Sequence, residues 1–150
     1  MARPKLIALA SGGGHWVQLQ RLRPAFEGFE TVYVSMFESY AEQVQGSRFY
    51  TVPDASRFDL KSFAPVFFRA LGIMLRERPR AIVTTGSAPM LAFILLGRLM
   101  GCRTLWIDSI ANSERMSSSG RLAKKLANQC ISQWPEVAAR EGVECWGAIL

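Results

Sequence analysis

Apolar and polar positions follow two rhythms along the chain. Short, mostly apolar, β-prone runs stand at 5–10 (KLIALA), 30–36 (ETVYVSM), 48–53 (RFYTVP), 81–86 (AIVTTG), 104–109 (TLWIDS), 129–134 (QCISQW) and 143–149 (VECWGAI). Helical spacing fills the gaps at 15–26, 39–45, 60–77, 89–100, 118–127 and 135–141. Strands alternating with helices predict βαβ units, hence an α/β fold: a Rossmann-like parallel sheet with helices on both faces. Most strand runs are continuously apolar at their centres, as strands covered on two sides require. There is no internal repeat, and "NSERMSSSG" (112–120) reads as a loop rather than a linker. At 150 residues the chain forms one domain, 1–150.

The helical run 60–77 breaks the ordinary amphipathic pattern. Lys61, Pro65, Arg69, Gly72 and Arg76 fall on one narrow stripe, at spacings of 4, 4, 3 and 4. Phe63, Val66, Phe67, Phe68, Leu71, Ile73, Met74 and Leu75 fill the rest, an apolar arc wider than one sheet face needs. Arg57, Arg69, Arg76, Arg78 and Arg80 surround it. A deeply packed core helix fits these residues. So does a basic amphipathic element lying on an anionic membrane, with Phe67, Phe68, Arg69 and Arg76 in contact. Charges interrupt the run, so a spanning helix is not expected.

Charge and cysteine usage narrow the chemistry. The formal charge of +6 favours anionic partners. Cys102, Cys130 and Cys145 are odd in number and lack CxxC spacing, against a disulfide framework or a zinc site and in favour of the cytoplasm. The apolar stretch after Met1 is too short for a signal peptide. No basic–aromatic platform or helix-turn-helix signal points to nucleic acid.

In an open parallel sheet, ligands bind beyond the carboxyl ends of the strands. Three segments fall there. The first, Ser11-Gly12-Gly13-Gly14-His15, lets backbone N–H groups approach an oxygen-rich ligand at a helix start. It is neither GxxxxGK[ST] nor GxGxxG, because Val17 stands where a third fingerprint glycine would fall. A tight turn without a ligand is the plainer alternative. His15 either bonds its own loop, contacts a phosphate, or serves as a general base, for which imidazole is suited near neutral pH. The second segment, "TTGSAPML" (84–91), opens a helix with Pro89 in its first turn. Ser87 is placed to cap it, and Gly86 leaves room for a ligand. The third carries Asp108, Ser109, Glu114 and Arg115 into a basic helix. It is a solvated loop by default, but carboxylates at a strand's end also suit acid/base work.

"SGGGH", "TTGSAP", "WIDSIANSERMSSSGRLAKKLANQCISQWPE" and "ECWGAIL", in that order, resemble the membrane-associated subunit of two-part glycosyltransferases. The eukaryotic relative anchors the enzyme that adds the second N-acetylglucosamine to dolichol-diphosphate-GlcNAc. Bacterial relatives serve exopolysaccharide and capsule synthesis. The family is similar to the N-terminal, acceptor-binding half of GT-B enzymes such as the one completing lipid II. The N-terminal membrane helix of the eukaryotic members is missing, which fits the bacterial branch and places attachment on 60–77.

The resemblance implies an inverting, metal-independent transferase with no cofactor. A separate small subunit would hold the UDP-sugar donor and dock near residues 143–150. The acceptor would be a polyprenyl-diphosphate-linked saccharide, at the cytoplasmic face of the inner membrane. The residues carried over are Gly12, Gly13, Gly14, His15, Gly86, Ser87, Asp108, Ser109 and Glu114, with His15, or Glu114 as second choice, as the base. A membrane scaffold that only recruits the catalytic subunit is the alternative. A free-standing nucleotide-binding Rossmann enzyme is disfavoured by the absent fingerprint.

Overall fold

A computed structural model describes residues 2–56 and 59–149. The strands are β1 (Lys5–Leu9), β2 (Glu30–Ser35), β3 (Arg48–Thr51), β4 (Ala81–Thr84), β5 (Arg103–Ile107) and β6 (Gln129–Ile131). The helices are α1 (Gly14–Arg21), α2 (Phe63–Glu77), α3 (Leu91–Leu99), α4 (Ser118–Leu126) and α5 (Pro135–Glu141). All strands are parallel, in the order β3-β2-β1-β4-β5-β6. This is the Rossmann-like α/β sheet that the alternating runs predict.

β1 is central, and its side chains show why the run reads as unbroken. Ile7 and Leu9 join the cluster built with α2 and α3, while Leu6 and Ala8 face Trp16 and Leu19 of α1. Alternate residues thus feed two cores, each covered by helix.

Several boundaries differ from the predicted ones, for identifiable reasons. The 15–26 helix stops at Arg21; a short 3-10 turn, Arg23–Phe26, follows, with Pro24 in its opening positions. The 39–45 segment is also 3-10 in geometry. The seventh strand does not form. After one bridge, Ile131 to Glu144, the chain leaves the sheet edge, with Gly147 at φ +105. The segment 146–149 instead lies with Leu22, Val83, Leu105, Ile107 and Ile131 around a shallow apolar hollow, and Trp146 stays 60% exposed. Burying apolar area over an uncovered sheet face replaces a ladder. Arg57 and Leu150, both named in the sequence-based expectations, lie outside the described residues.

Helix α2 covers the sheet with Val66, Ala70, Ile73 and Met74. Its apolar arc exceeds that contact, since Phe68 is 68% and Leu75 55% exposed. Among the described residues, no helix is long and apolar enough to cross a membrane.

At the opposite end of the sheet from the glycine loop, Glu77 is buried and accepts bonds from Arg48 at 2.5 Å and the Tyr50 hydroxyl at 3.0 Å, with Lys5 at 3.5 Å. Burial alone would raise its carboxyl. The bonds from Arg48 and Tyr50 and the charges of Lys5 and Arg48 outweigh burial and hold it below the ordinary 4.5. A carboxyl depressed by folding contributes stability that is complete above its unfolded value and is lost as pH falls through the folded one. Glu77→Gln should therefore cost roughly 1–3 kcal/mol at neutral pH, Arg48 being partly solvated. Denaturant titrations should show the gap between the two proteins closing as pH falls below 4.5.

Candidate functional site

The sheet order reverses direction between β1 and β4, so the loops after these strands diverge and leave a crevice. The first loop runs from Ala10 to Gly13. A Cβ on Gly12 would meet the Phe37 ring at 2.3 Å, so that exposed ring would have to swing aside for any side chain there. Gly13 stands at φ +63, ψ −132, a conformation natural to glycine, and its N–H donates to the Tyr40 hydroxyl at 3.1 Å. Tyr40 stacks on Trp16 with ring centroids 4.7 Å apart, so the β2–β3 connection braces the loop from outside. Gly14 has open space around it. As the first residues of α1, Gly14, His15 and Trp16 carry N–H groups without partners inside the helix.

His15 bridges to the second loop. Its Nδ1 lies 3.0 Å from the Thr85 carbonyl oxygen, and the Thr85 hydroxyl donates to the His15 carbonyl at 2.6 Å. The expected capping role of Ser87 is not observed. Its side chain makes no cap bond, and its φ is +100, directly after Gly86 at φ +119. A serine in this region is strained, and the strain sits at the switch point. The helix start is held instead by Met90 N–H donating to the Ser87 carbonyl.

The third loop is organised around Asp108, which is 2% exposed. Its carboxylate accepts from the Ser117 hydroxyl (2.7 Å), the Ser117 N–H (3.0 Å), Asn112 Nδ2 (3.1 Å) and Trp106 Nε1 (3.3 Å). Ser117 in turn caps α4 by accepting from Gly120 N–H. A Cβ on Gly120 would strike Asp108 Oδ1 at 2.5 Å. Beneath this loop, burial pushes the Cys130 thiol up to about 12, with the Asp108 charge adding to the effect, so that sulfur is no nucleophile.

Ser109 accepts from Gln18 Nε2 and from Ala111 N–H. Gln18 Oε1 accepts from Gln133 Nε2 at 2.7 Å, and Gln133 Oε1 accepts from Ile149 N–H at 2.7 Å. Gln18, Thr85 and Gln133 are all buried; Thr85 falls inside the second predicted segment, whereas polar sequence patterning gave no sign of the two glutamines. Only the fold joins positions 115 residues apart. Glu114 is exposed, and its place is fixed through its backbone, where Arg140 donates to the carbonyl at 2.5 Å.

Gly86 lies against the His15 ring and the Trp106 indole, so these three meet, and Gln133, which donates to the Asp108 carbonyl as well as to Gln18, ties Asp108, Ser109 and Gln18 into a neighbouring network. It does not join Glu114 to either. Of the α2 residues, Phe67 is half-buried, Phe68 and Arg76 are exposed, and Arg69 lies over Tyr50 while donating to the Thr51 carbonyl. An apolar groove of about 440 Å³ separates α2, α3 and α4, lined by Phe63, Phe67, Leu91, Leu95, Leu122 and Leu126. Ala88, Ser118 and Ser119 border it where the second and third loops end. Among the described residues no group of three or more His, Cys, Asp or Glu side chains is arranged to hold a metal.

No family model matches the chain. Over 83 residues, 51% of this chain, it is 29% identical to the UDP-N-acetylglucosamine transferase subunit ALG14 of Eremothecium gossypii, of which that stretch is 37%. Its fold matches MurG of Acinetobacter baumannii (TM-score 0.73, 14% identity, 89% of this chain and 42% of that one). It also matches UDP-N-acetylglucosamine 2-epimerase of Rickettsia bellii (TM-score 0.68, 12% identity, 95% and 43%). The chain thus spans about two-fifths of the length of these relatives. It is similar to part of that transferase subunit, and its Rossmann-like fold matches part of MurG and of the epimerase.

The glycines separate turn geometry from ligand contact. Gly14→Ala should leave stability unchanged or raise it by up to about 1 kcal/mol, as the site is open and helical. Gly120→Ala should cost about 1–3 kcal/mol by overpacking the Asp108 cage. Gly13→Ala should cost about 1–2 kcal/mol in backbone strain. Chemical denaturation of the three variants checks this ordering.

Proposed function

We propose that this chain is the acceptor-binding, membrane-associating subunit of a two-subunit inverting glycosyltransferase. It acts on a polyprenyl-diphosphate-linked saccharide, and a partner supplies the UDP-sugar. The observation that carries this is the meeting of two loops at the switch point, where an unpartnered helix start lies beside the only histidine. Likeness to the transferase subunit supports the same assignment.

In this mechanism the N–H groups of the first loop and α1 receive the acceptor's diphosphate, with Ser11, Gly12, Gly13 and Gly14 allowing close approach. Gly86 and Ser87 border the same crevice, and Asp108 and Ser109 hold the third loop beside it. The acceptor hydroxyl gives its proton to His15, or to Glu114 as second choice. Its oxygen forms the new bond to the anomeric carbon, and the sugar–phosphate bond breaks with its electron pair leaving on UDP. The apolar groove between α2, α3 and α4 gives the isoprenoid chain a path starting at Ala88, next to Ser87. Phe68, Leu75 and Arg76 on α2 rest against the cytoplasmic face of the inner membrane.

The assignment meets its test in a reconstituted pair. The chain alone should transfer no sugar, and co-expression with its donor-binding partner should restore transfer. His15→Ala should lower kcat by about 10²–10⁴-fold, while Gly14→Ala should mainly raise the acceptor KM. Full transfer by the single chain would overturn the two-subunit scheme. An intact complex with undiminished kcat in His15→Ala and in Glu114→Gln would make the chain a recruiting scaffold.

Membrane contact is tested separately with vesicles of anionic lipid. Arg76→Gln should weaken binding by about 1 kcal/mol at low salt. Phe68→Ser should also weaken it without lowering the melting temperature, because Phe68 is exposed. Unchanged vesicle binding in both variants would remove α2 from the membrane.

A further inference from the structure

His15 is held from behind by a single residue at two points. The Thr85 carbonyl oxygen, 3.0 Å from Nδ1, can only accept, so the ring hydrogen resides on Nδ1. In the neutral ring Nε2 then carries the lone pair. The Thr85 hydroxyl grips the other end of the same residue, donating to the His15 backbone carbonyl at 2.6 Å. Thr85 is 0% exposed, so its carbonyl and hydroxyl are themselves closed to water. The contacts are reciprocal: backbone to side chain one way, side chain to backbone the other.

The next residue completes the seat. A Cβ on Gly86 would stand 3.1 Å from His15 Cε1 and 3.2 Å from Nδ1, closer than most packed carbons come. The same point lies 3.7 Å from the Trp106 indole, which is itself fully buried. The lack of a side chain at Gly86 is therefore used by the histidine ring. Thr84 steadies the turn by accepting from the Gly86 N–H at 3.2 Å.

We infer that Thr85 and Gly86 are positioning residues whose joint task is to fix His15 as its Nδ1–H tautomer. Nε2 is thereby kept as the acceptor nitrogen at the switch-point crevice. The chemical class this recognises is a hydroxyl donor, because a ring in the opposite tautomer would present an N–H and could not accept its proton. A carbonyl behind the ring sets orientation without placing a full negative charge there, unlike a carboxylate partner. The consequence for catalysis rests on the transferase role proposed above; the tautomer does not.

The single histidine makes the test direct, since ¹⁵N-histidine labelling of the full chain yields one imidazole. At a pH where the ring is neutral, two-bond ¹H–¹⁵N spectra should show Nδ1 protonated and Nε2 unprotonated, as one tautomer. Thr85→Val keeps the β-branched shape and the backbone carbonyl but lacks the hydroxyl, so the His15 backbone should slip, lengthen the bond from Nδ1 to that carbonyl and admit a fraction of the other tautomer. Thr85→Ser should restore the single form, and Gly86→Ala should displace the ring resonances. An Nε2–H or averaged ring in the unsubstituted protein overturns the inference, with no dependence on any variant folding. A Thr85→Val spectrum identical to the unsubstituted one removes the hydroxyl from the seat. Should the single Nδ1–H tautomer be found while His15→Ala retains full transfer, the seat stands and the catalytic role of His15 falls.

Discussion

The hydrogen bonds exchanged by His15 and Thr85 join the molecule where its topology pulls it apart. After β1 the chain crosses toward β2; after β4 it crosses the other way, toward β5. A crevice opens between two parallel neighbours that are otherwise paired along their length. Closing it with apolar contact would fill the space. Closing it with two short polar bonds ties the loops and leaves backbone donors beside the opening. The glycines follow from this tie. Gly13 turns the first loop into α1 at the angle that brings His15 across, and Gly86 makes room for the ring on arrival.

A second polar unit supports the first. Burying a carboxylate such as Asp108 is costly unless its lone pairs are used, and the donors from Ser117, Asn112 and Trp106 use them. Trp106 belongs to both units, with its ring beside Gly86 and its Nε1 on Asp108. Gln18 and Gln133 extend the bonding from Ser109 through α1 to the backbone of Ile149. The segment lying over β4, β5 and β6 is thus linked, through buried amides, to the helix that begins at the glycine loop. A protein that docked on Trp146 would press on that linkage rather than on a free tail.

What could be read from the sequence divides along physical lines. Fully covered strands announce themselves as continuous apolar runs, so β1, β2 and β4 stood out, as did the glycine loop between a strand and a helix. Local propensity failed wherever a distant partner decides the outcome. VECWGAI is β-prone, yet after one bridge it serves better as cover for bare sheet. Ser87 has the residue type of a cap, but the turn after Thr85 sets Gly86 and Ser87 at positive φ and its side chain makes no cap bond. Asp108 carries the acid expected of a catalytic group, and its bonding makes it an organiser of the loop. Gln18 and Gln133 gave no signal because a buried polar side chain looks like a surface one until its partner is known, and Thr85, though inside a predicted segment, gave no sign of its grip on His15 for the same reason. Helix α2 was readable as over-wide in its apolar arc, and the exposed Phe68 and Leu75 are that excess.

The polar crevice and the apolar groove are joined through very few residues, and this adjacency shapes what the molecule can hold. Ser87 borders the crevice, and Ala88 already lines the groove between α2, α3 and α4. On the other side, Ser117 closes the Asp108 cage, and Ser118 and Ser119 form the same groove's edge. A small polar ligand would use the donors and leave the groove wet. A simple hydrocarbon would fill the groove and leave the donors unmatched. A molecule with an anionic head joined to an apolar chain satisfies both, with the head at the helix start and the chain passing Ala88. The strained turn at Gly86–Ser87 is where the two environments meet, so the backbone conformation that seats His15 also sets the direction from head to chain. Under the function proposed above, one loop would then serve both the chemistry and the lipid-linked character of the acceptor.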